Sequence, residues 1–517
     1  MSDNIHTLGN WINHGALADG NKVAIDDRGV TISYGMLDER VNRLAQRLID
    51  AGYRNGDRIA TVAGNSIDQV VLFFACAKAG LVLAPLSWRH TATELAELLV
   101  RSKASLLLTE DEFQTLASEA LKHAGLDIPL VELGSEGIET EVPAVAYESG
   151  EPWRPVVDSD PVLLIFTSGS EAAPKGALLS HKNCFWTNLS LGRAVNFGTD
   201  DVALCMLPQF HVGGWNIYLL LGLSVGATCV LERTFNPARA LRLIETRGVT
   251  AIMGVPTQYL MMSKDPLFTQ VNLESLRVAQ VGGAYAPAEI IERWRARGVE
   301  LAPAYGLTEA SPNVLYTPAG DPHSGMIPYP HVSVRIAGTT DDSLDSGELQ
   351  VHGPGVFVGY DDDEARTAEA FTDDGWLRTG DTAARSTLGG IRIVGRSKDI
   401  FISGGENVAP AEVERVMLTH PYVDEVAVVG IPDPVWGEVG CAFIVLTPEG
   451  TVVHRAAEKS EELAVAIRSH TARSLAAFKV PAHVKIVSEL PRISIDKIDR
   501  RQLTAEAVAF SKGVQVS

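Results

Sequence analysis

DRIATVAGNSIDQVVLFFACAKAGLVLAPL, residues Asp57 to Leu86, decides the fold. Arg58 to Ala63 is rich in β-branched and apolar residues and reads as a strand, Ile67 to Lys78 as a helix, and Leu81 to Pro85 as a second strand. The alternation continues, with Thr93 to Val100 helical and Ser105 to Thr109 extended. Short, continuously apolar strands separated by helices are the mark of βαβ units. They predict a mostly parallel sheet buried on both faces.

Working outward, the acidic stretch Gly134 to Asp160 carries no clear period and is expected to be a surface connection. A buried strand, Val162 to Phe166, follows it. The alternation resumes from Asp201 to about Leu315, and Val332 to Tyr360 then turns strand-rich, with turn signals at Gly338, Gly347 and Gly353. A β-barrel-like subdomain is expected there. After Gly395-Arg-Ser-Lys398 the pattern restarts with a helix at Pro410 to Leu418, strands at Val423 to Ile431 and Gly440 to Leu446, a helix at Glu461 to Ser474 and a strand near Val484 to Val487. These elements suffice for a separate α+β domain of roughly 120 residues.

At 517 residues, 46% hydrophobic and 21% charged, the chain can build two or more well-buried cores. Its 44 basic against 64 acidic residues leave a net charge of -20, which argues against a sequence-independent grip on nucleic acid or anionic membranes. Any polyphosphate must be held by a local site. Five widely spaced cysteines suggest buried reduced thiols, with neither a disulfide framework nor a zinc site. The runs Val70 to Leu86 and Ile217 to Leu231 read as a core helix followed by a core strand, so no membrane span is expected. With no signal-peptide pattern at the start, the expected location is cytoplasmic.

Two segments carry chemistry. Thr167-Ser-Gly-Ser-Glu-Ala-Ala-Pro-Lys-Gly176 follows a strand and precedes a helical pattern beginning around Ser180. Its hydroxyls and backbone N–H groups can cradle phosphate while Lys175 supplies charge. It is not a Walker loop, because the spacing differs. Tyr305-Gly-Leu-Thr-Glu309 packs a ring, a turn glycine, a hydroxyl and a carboxylate into five residues, a set able to stack a nucleobase and hold a phosphate-bound magnesium.

These two segments occur in register with Leu207-Pro-Gln-Phe-His211, Gly282-Gly283, Gly347-Glu-Leu349, Thr379-Gly-Asp381, Gly395-Arg-Ser-Lys-Asp399, Ser403-Gly-Gly-Glu-Asn407 and Lys497. In order and spacing the whole chain resembles the adenylate-forming enzymes, which include acyl-CoA synthetases, peptide-synthetase adenylation domains and firefly-type luciferases. Gly-Gly-Glu-Asn-Val408 followed by Pro410-Ala-Glu-Val-Glu414 is most similar to the acyl-CoA synthetase branch. The resemblance implies a large N-terminal α/β core at 1–397, a hinge at Lys398 and a smaller mobile C-terminal domain at 399–517.

It also implies site roles. Thr167, Ser168, Gly169, Ser170 and Lys175 would hold phosphates. Tyr305 and Gly306 would frame adenine with Gly283, Ala284 and Tyr285. Thr308 would touch phosphate, Glu309 would ligate magnesium, Asp381 would accept from the ribose hydroxyls, and Arg396 would steady the sugar. Lys497 would offset charge on the substrate carboxylate and α-phosphate during adenylation. The C-terminal domain would then rotate, exchanging Lys497 for Ser403, Gly404, Gly405 and Glu406 beside the acceptor's pantetheine arm. The acid pocket would be lined by His211, Trp215, Asn216, Gly283, Tyr285 and Ala304, although His211 and Trp215 read equally as core residues. Bulk at Tyr285 and Ala304 favours a short, medium or aryl acid over a long fatty acid.

The implied substrates are ATP with Mg2+, a carboxylic acid and coenzyme A, and a homodimer is compatible with the sequence. Glu171 and Ala172 depart from the family's phosphate loop, where threonine and glycine are usual. A carboxylate there repels a triphosphate by roughly 1 kcal/mol at ~4 Å in water. Asp496 and Met326 likewise stand where glycine is common. The same fold could pass the activated group to a carrier protein or an amine, or activate nitrite as in diazotising relatives. A third reading, a non-catalytic nucleotide sensor, predicts loss of Glu309 or Lys497, and both are present.

Overall fold

The computed structural model describes residues 5–135, 137–145, 153–167, 174–283, 286, 288–318, 325–338, 346–386, 388–396, 400–456, 460–493, 497–498 and 500–514. The chain forms two units. The larger holds Met1–Trp88, Ala96–Phe166 and Gly176–Gly395, and the smaller holds Arg89–Leu95, Thr167–Lys175 and Arg396–Ser517.

In the larger unit the decisive stretch becomes the strand Arg58–Val62, the helix Ile67–Ala79 and the strand Val82–Leu86. Every residue of Val82–Leu86 is buried, as a strand covered on both faces requires. The helix is capped by the Ser66 side chain, which accepts from the Gln69 N–H, and it ends on a left-handed Gly80. These strands are central in a seven-stranded sheet ordered Gly359–Tyr360, Lys175–Ser180, Pro161–Thr167, Val82–Leu86, Arg58–Val62, Ala104–Thr109, Leu130–Glu132. From Pro161–Thr167 through to Leu130–Glu132 the pairs are parallel. One expectation is corrected here. The residues after the phosphate-loop segment form the strand Lys175–Ser180 before the helix His181–Val195 begins, so the segment joins two strands that are neighbours in the sheet.

A second sheet of nine strands has a parallel interior, Leu301–Tyr305, Val278–Val281, Ala251–Gly254, Val202–Cys205, Thr228–Leu231 and Val23–Asp27, with antiparallel edges. The strand-rich region is a four-stranded sheet, Ser333–Ala337, Ser346–His352, Leu377–Arg385 and Ile391–Arg396, extending beyond the expected Tyr360. All five cysteines are buried and reduced. Among the described residues no helix is long and apolar enough to cross a membrane.

The smaller unit is built on the long antiparallel pair Val423–Asp433 and Gly437–Leu446, with His483–Val487 parallel to the latter. Period-two alternation splits its apolar residues between two cores. Val426, Val428, Ala442 and Ile444 face one, with Val413 and Met417 of the helix Pro410–Met417. Val429, Ile431, Cys441 and Phe443 face the other, with Leu503 and Ala507 of the helix Arg500–Val514. Each fully buried aliphatic or aromatic side chain contributes roughly 1.5–3 kcal/mol, so the unit has a core of its own.

Candidate active site

The strand Leu301–Tyr305 delivers Tyr305 to the end of the nine-stranded sheet, where the chain turns sharply. The turn closes with the Val314 N–H donating to the Tyr305 carbonyl at 3.1 Å. Gly306 is required by this fold-back, because a Cβ there would lie 1.4 Å from the Pro312 carbonyl oxygen. A short 3-10 turn, Thr308–Ala310, then sets Thr308 and Glu309 side by side.

Two phenols tie this loop to other elements of the larger unit. The Tyr305 hydroxyl donates to Asp381 Oδ2 at 2.6 Å, and the Tyr360 hydroxyl donates to Glu309 Oε1 at 2.7 Å. Asp381 is buried on the strand Leu377–Arg385. Its backbone N–H donates to Thr379 Oγ1 at 3.0 Å, and that hydroxyl donates to the Leu349 carbonyl at 2.7 Å. The Gly380 N–H reaches Glu348 Oε1 at 3.3 Å. Thus Thr379-Gly-Asp381 and Gly347-Glu-Leu349 are one supporting structure, with the carboxylate of Asp381 as its tip. Burial, followed by the adjacent Glu309 carboxylate, pushes the Tyr360 phenol well above its ordinary pKa, so it stays a donor.

Glu309 and Thr308 offer a carboxylate and a hydroxyl, hard oxygen donors that fit magnesium. Among the described residues no three His, Cys, Asp or Glu side chains form a metal cage. The fit is therefore to an ion held through one carboxylate and phosphate oxygens, as magnesium commonly is.

Thr167 ends the strand Pro161–Thr167, and Lys175 opens the strand that follows. The Thr167 hydroxyl lies 3.5 Å from the Lys175 carbonyl. Ser168, Gly169 and Ser170 lie outside the described residues, as do Glu171, Ala172, Ala284, Tyr285, Lys398 and Asp496. Gly283 follows the strand Val278–Val281 with φ of 78°. Arg396 and Lys497 are placed by their backbones, Arg396 at the end of Ile391–Arg396 and Lys497 in the short strand Lys497–Ile498.

His211 is half-buried at the start of the helix Val212–Asn216, its ring 4.9 Å from that of Phe210. Ala304, also half-buried, pairs with Tyr316. Trp215 and Asn216 are fully buried, with interior partners. The Trp215 indole N–H donates to the Gln209 carbonyl at 2.5 Å and its ring stacks on Phe73 at 4.8 Å. Asn216 Oδ1 accepts from Asn188 Nδ2 at 3.0 Å. Neither side chain has exposed surface.

In the smaller unit, Phe401–Ser403 and Glu406–Val408 form a hairpin whose two-residue turn is Gly404-Gly405, with φ of 59° and 87°. Positive φ at both positions is the primed turn that twists with its strands, and it suits glycine. Glu348 stands in the Gly347-Glu-Leu349 motif with no role read for it, and Tyr360 carries no signal in the sequence. Tyr360 follows the apolar run Val356 to Val358 with nothing to separate it from a core aromatic. Its role depends on a partner 51 positions away.

Residues 13–361 match the family described as AMP-binding enzyme, and residues 412–497 match the AMP-binding enzyme C-terminal domain. The chain is 36% identical over 499 residues to a feruloyl-CoA synthase of Amycolatopsis sp, covering 95% of this chain and 97% of that one. It is 35% identical over 516 residues to an indoleacetate–CoA ligase of Aromatoleum aromaticum, covering 96% and 98%. Among solved structures it resembles an o-succinylbenzoate CoA synthetase of Bacillus subtilis bound to a product analogue. That match has a TM-score of 0.82, 26% identity and coverage of 96% and 98%.

Proposed function

Because this chain belongs to the adenylate-forming superfamily, in its acyl-CoA synthetase branch, and is an ATP-dependent, AMP-forming ligase, we propose that it joins an aryl or other ring-bearing carboxylic acid to coenzyme A. The observation that carries the reading is the pair of phenol–carboxylate bonds, Tyr305 to Asp381 and Tyr360 to Glu309, which fixes a base-stacking ring, a ribose acceptor and a metal-binding carboxylate around one loop. The ring-bearing acid is favoured by the feruloyl- and indoleacetate-ligase relatives, and a methyl at Ala304, where glycine is common in the family, would leave less room for a long chain.

In the first half-reaction a carboxylate oxygen attacks the α-phosphorus of ATP in line and pyrophosphate leaves. Tyr305 stacks on adenine, its ring angle held by Asp381, and Asp381 also accepts from ribose. Thr167, Lys175 and Thr308 hold phosphate oxygens, and Lys497 offsets charge as the P–O bond forms. Glu309 would hold magnesium, whose charge would offset that of the phosphates. Rotation about Lys398 then replaces Lys497 by the Ser403–Glu406 hairpin. The thiol of coenzyme A, losing its proton, attacks the acyl carbon, and AMP leaves. Pyrophosphate release from ATP, measured across aryl, fatty and small acids, tests the acid class. Cinnamate- or indole-type acids should exceed C16 fatty acids by about tenfold or more in kcat/KM, the scale of a pocket too short for the chain. A preference for the fatty acids overturns the assignment.

A further inference from the structure

Asn65 sits on the turn between the strand Arg58–Val62 and the helix Ile67–Ala79, just before the capping residue Ser66. Its side chain reaches from the seven-stranded sheet to the nine-stranded one, within the larger unit. Nδ2 donates to the Leu207 carbonyl at 2.8 Å and to the Glu232 carbonyl at 3.1 Å, and Oδ1 accepts from the Gln209 N–H at 2.8 Å. Leu207 and Gln209 follow the strand Val202–Cys205, and Glu232 follows its neighbour Thr228–Leu231. One residue of 3% exposure therefore clips together the ends of two strands, through partners 142, 144 and 167 positions further along the chain.

The same short stretch grips the segment 207–215 at two more points. The Ser66 N–H donates to Gln209 Oε1 at 3.3 Å, and Phe73, on the helix that Ser66 caps, carries the stacked ring of Trp215. His211 lies between these anchors. Its N–H donates to the Pro208 carbonyl at 3.1 Å, and a Cβ on Gly214 would come within 2.1 Å of that same oxygen, so the segment is a tight coil wound on Pro208. A shift at Gln209 is therefore passed to His211. Among side chains of this length only the carboxamide offers two N–H donors and an acceptor, and a fully satisfied buried group of this kind fixes one geometry. Tyr305, Asp381, Tyr360 and Glu309 are tied by bonds of their own, on elements that Asn65 does not bridge.

We propose that Asn65 is a positioning residue for the acid substrate, holding residues 207–215 so that His211 presents a fixed face to the acid. It acts through that segment and touches no substrate itself. The inference deepens the ligase reading and rests on it for the place of His211 beside the acid, but not for the hold on the segment. Loosening the clip therefore weakens capture of the acid and spares the nucleotide.

The test measures ATP–pyrophosphate exchange and deuterium uptake in the natural full-length chain, Asn65→Asp, Asn65→Ser and Thr250→Val. Asn65→Asp keeps the size and sets a carboxylate against two carbonyls, and Asn65→Ser, smaller and neutral, serves if it does not fold. Thr250→Val is the control. It removes hydrogen bonds to Asp201 and from the Val202 N–H, at the opposite end of the same parallel strands. Either Asn65 variant should raise the KM for the acid best used in the screen about tenfold or more and leave the KM for ATP within about twofold. It should also speed deuterium uptake over residues 207–216 but not over 305–316. Thr250→Val should leave both KM values within about twofold. An unchanged acid KM, equal rises in both KM values, or a comparable acid effect in Thr250→Val overturns the proposal. If the natural chain shows no acid-dependent exchange, the ligase reading fails by itself, and uptake over residues 207–216 then upholds or overturns the hold on the segment.

Discussion

Tyr360 shows how much a single phenol can contribute. Its hydroxyl donates to Glu309 Oε1 at 2.7 Å, and the raised pKa of the half-buried phenol keeps that proton in place through neutral pH. Removing a hydrogen bond to a charged group costs about 1.5–3 kcal/mol, so Tyr360→Phe should lower kcat/KM for pyrophosphate release roughly 10- to 100-fold. Raising the magnesium concentration should recover part of the loss if Glu309 is merely misaimed. A Tyr360→Phe enzyme with natural kinetics would remove Tyr360 from the site. Residue-level roles of this kind were only half legible. Tyr305, Glu309, Asp381 and Glu348 stand in short motifs that the sequence offers, whereas Tyr360 is defined by a partner 51 positions away that no local pattern announces.

At the scale of elements, the helix His181–Val195 makes a pH-dependent prediction. Ser180 caps it in a reciprocal box with Asn183, and His181 is its first residue, fully buried. The Leu8 N–H donates to His181 Nδ1 at 3.1 Å, so that nitrogen must be unprotonated. Burial lowers the imidazole pKa to about 4, against opposition from Asp160 and Asp158. The positive end of the helix also disfavours a cation there. The unfolded chain takes up this proton as pH falls below 6.5, and the folded chain does so only near 4. Stability is therefore complete above about pH 6.5 and declines towards pH 4, by up to about 3 kcal/mol. Urea unfolding of the larger unit should lose less stability between pH 7 and 5 in His181→Gln than in the natural chain. Identical slopes would show that His181 is not the group responsible. This helix also marks a limit of sequence reading. Its start at Ser180 was legible from the polar cap, but the strand Lys175–Ser180 before it was not. Lys-Gly-Ala-Leu-Leu-Ser is too short and too weakly β-branched to separate from a helix entrance, and it becomes a strand by pairing with Gly359–Tyr360. By contrast, Ile67–Ala79 and Val82–Leu86 emerged almost as read, because a two-sided apolar run broken by Gly80 leaves few alternatives.

For the whole molecule, the proposal divides the work between two half-reactions, one using Lys497 and the other the Gly404-Gly405 hairpin. Long-range order of the motifs made the two-part architecture legible. The hydrogen bonds of Arg89, Thr91 and Glu94 were not, since their partners lie more than three hundred positions away along the chain. The most direct measurement follows AMP and thioester together, with ATP, magnesium and the preferred acid, with and without coenzyme A, for the natural chain and Lys497→Ala. The account predicts multiple turnovers to AMP only when coenzyme A is present, with one thioester per AMP. It predicts loss of that reaction in Lys497→Ala, while thioester formation from supplied acyl-adenylate persists within a few-fold. Steady AMP release independent of coenzyme A, or equal loss of both half-reactions in Lys497→Ala, would contradict it.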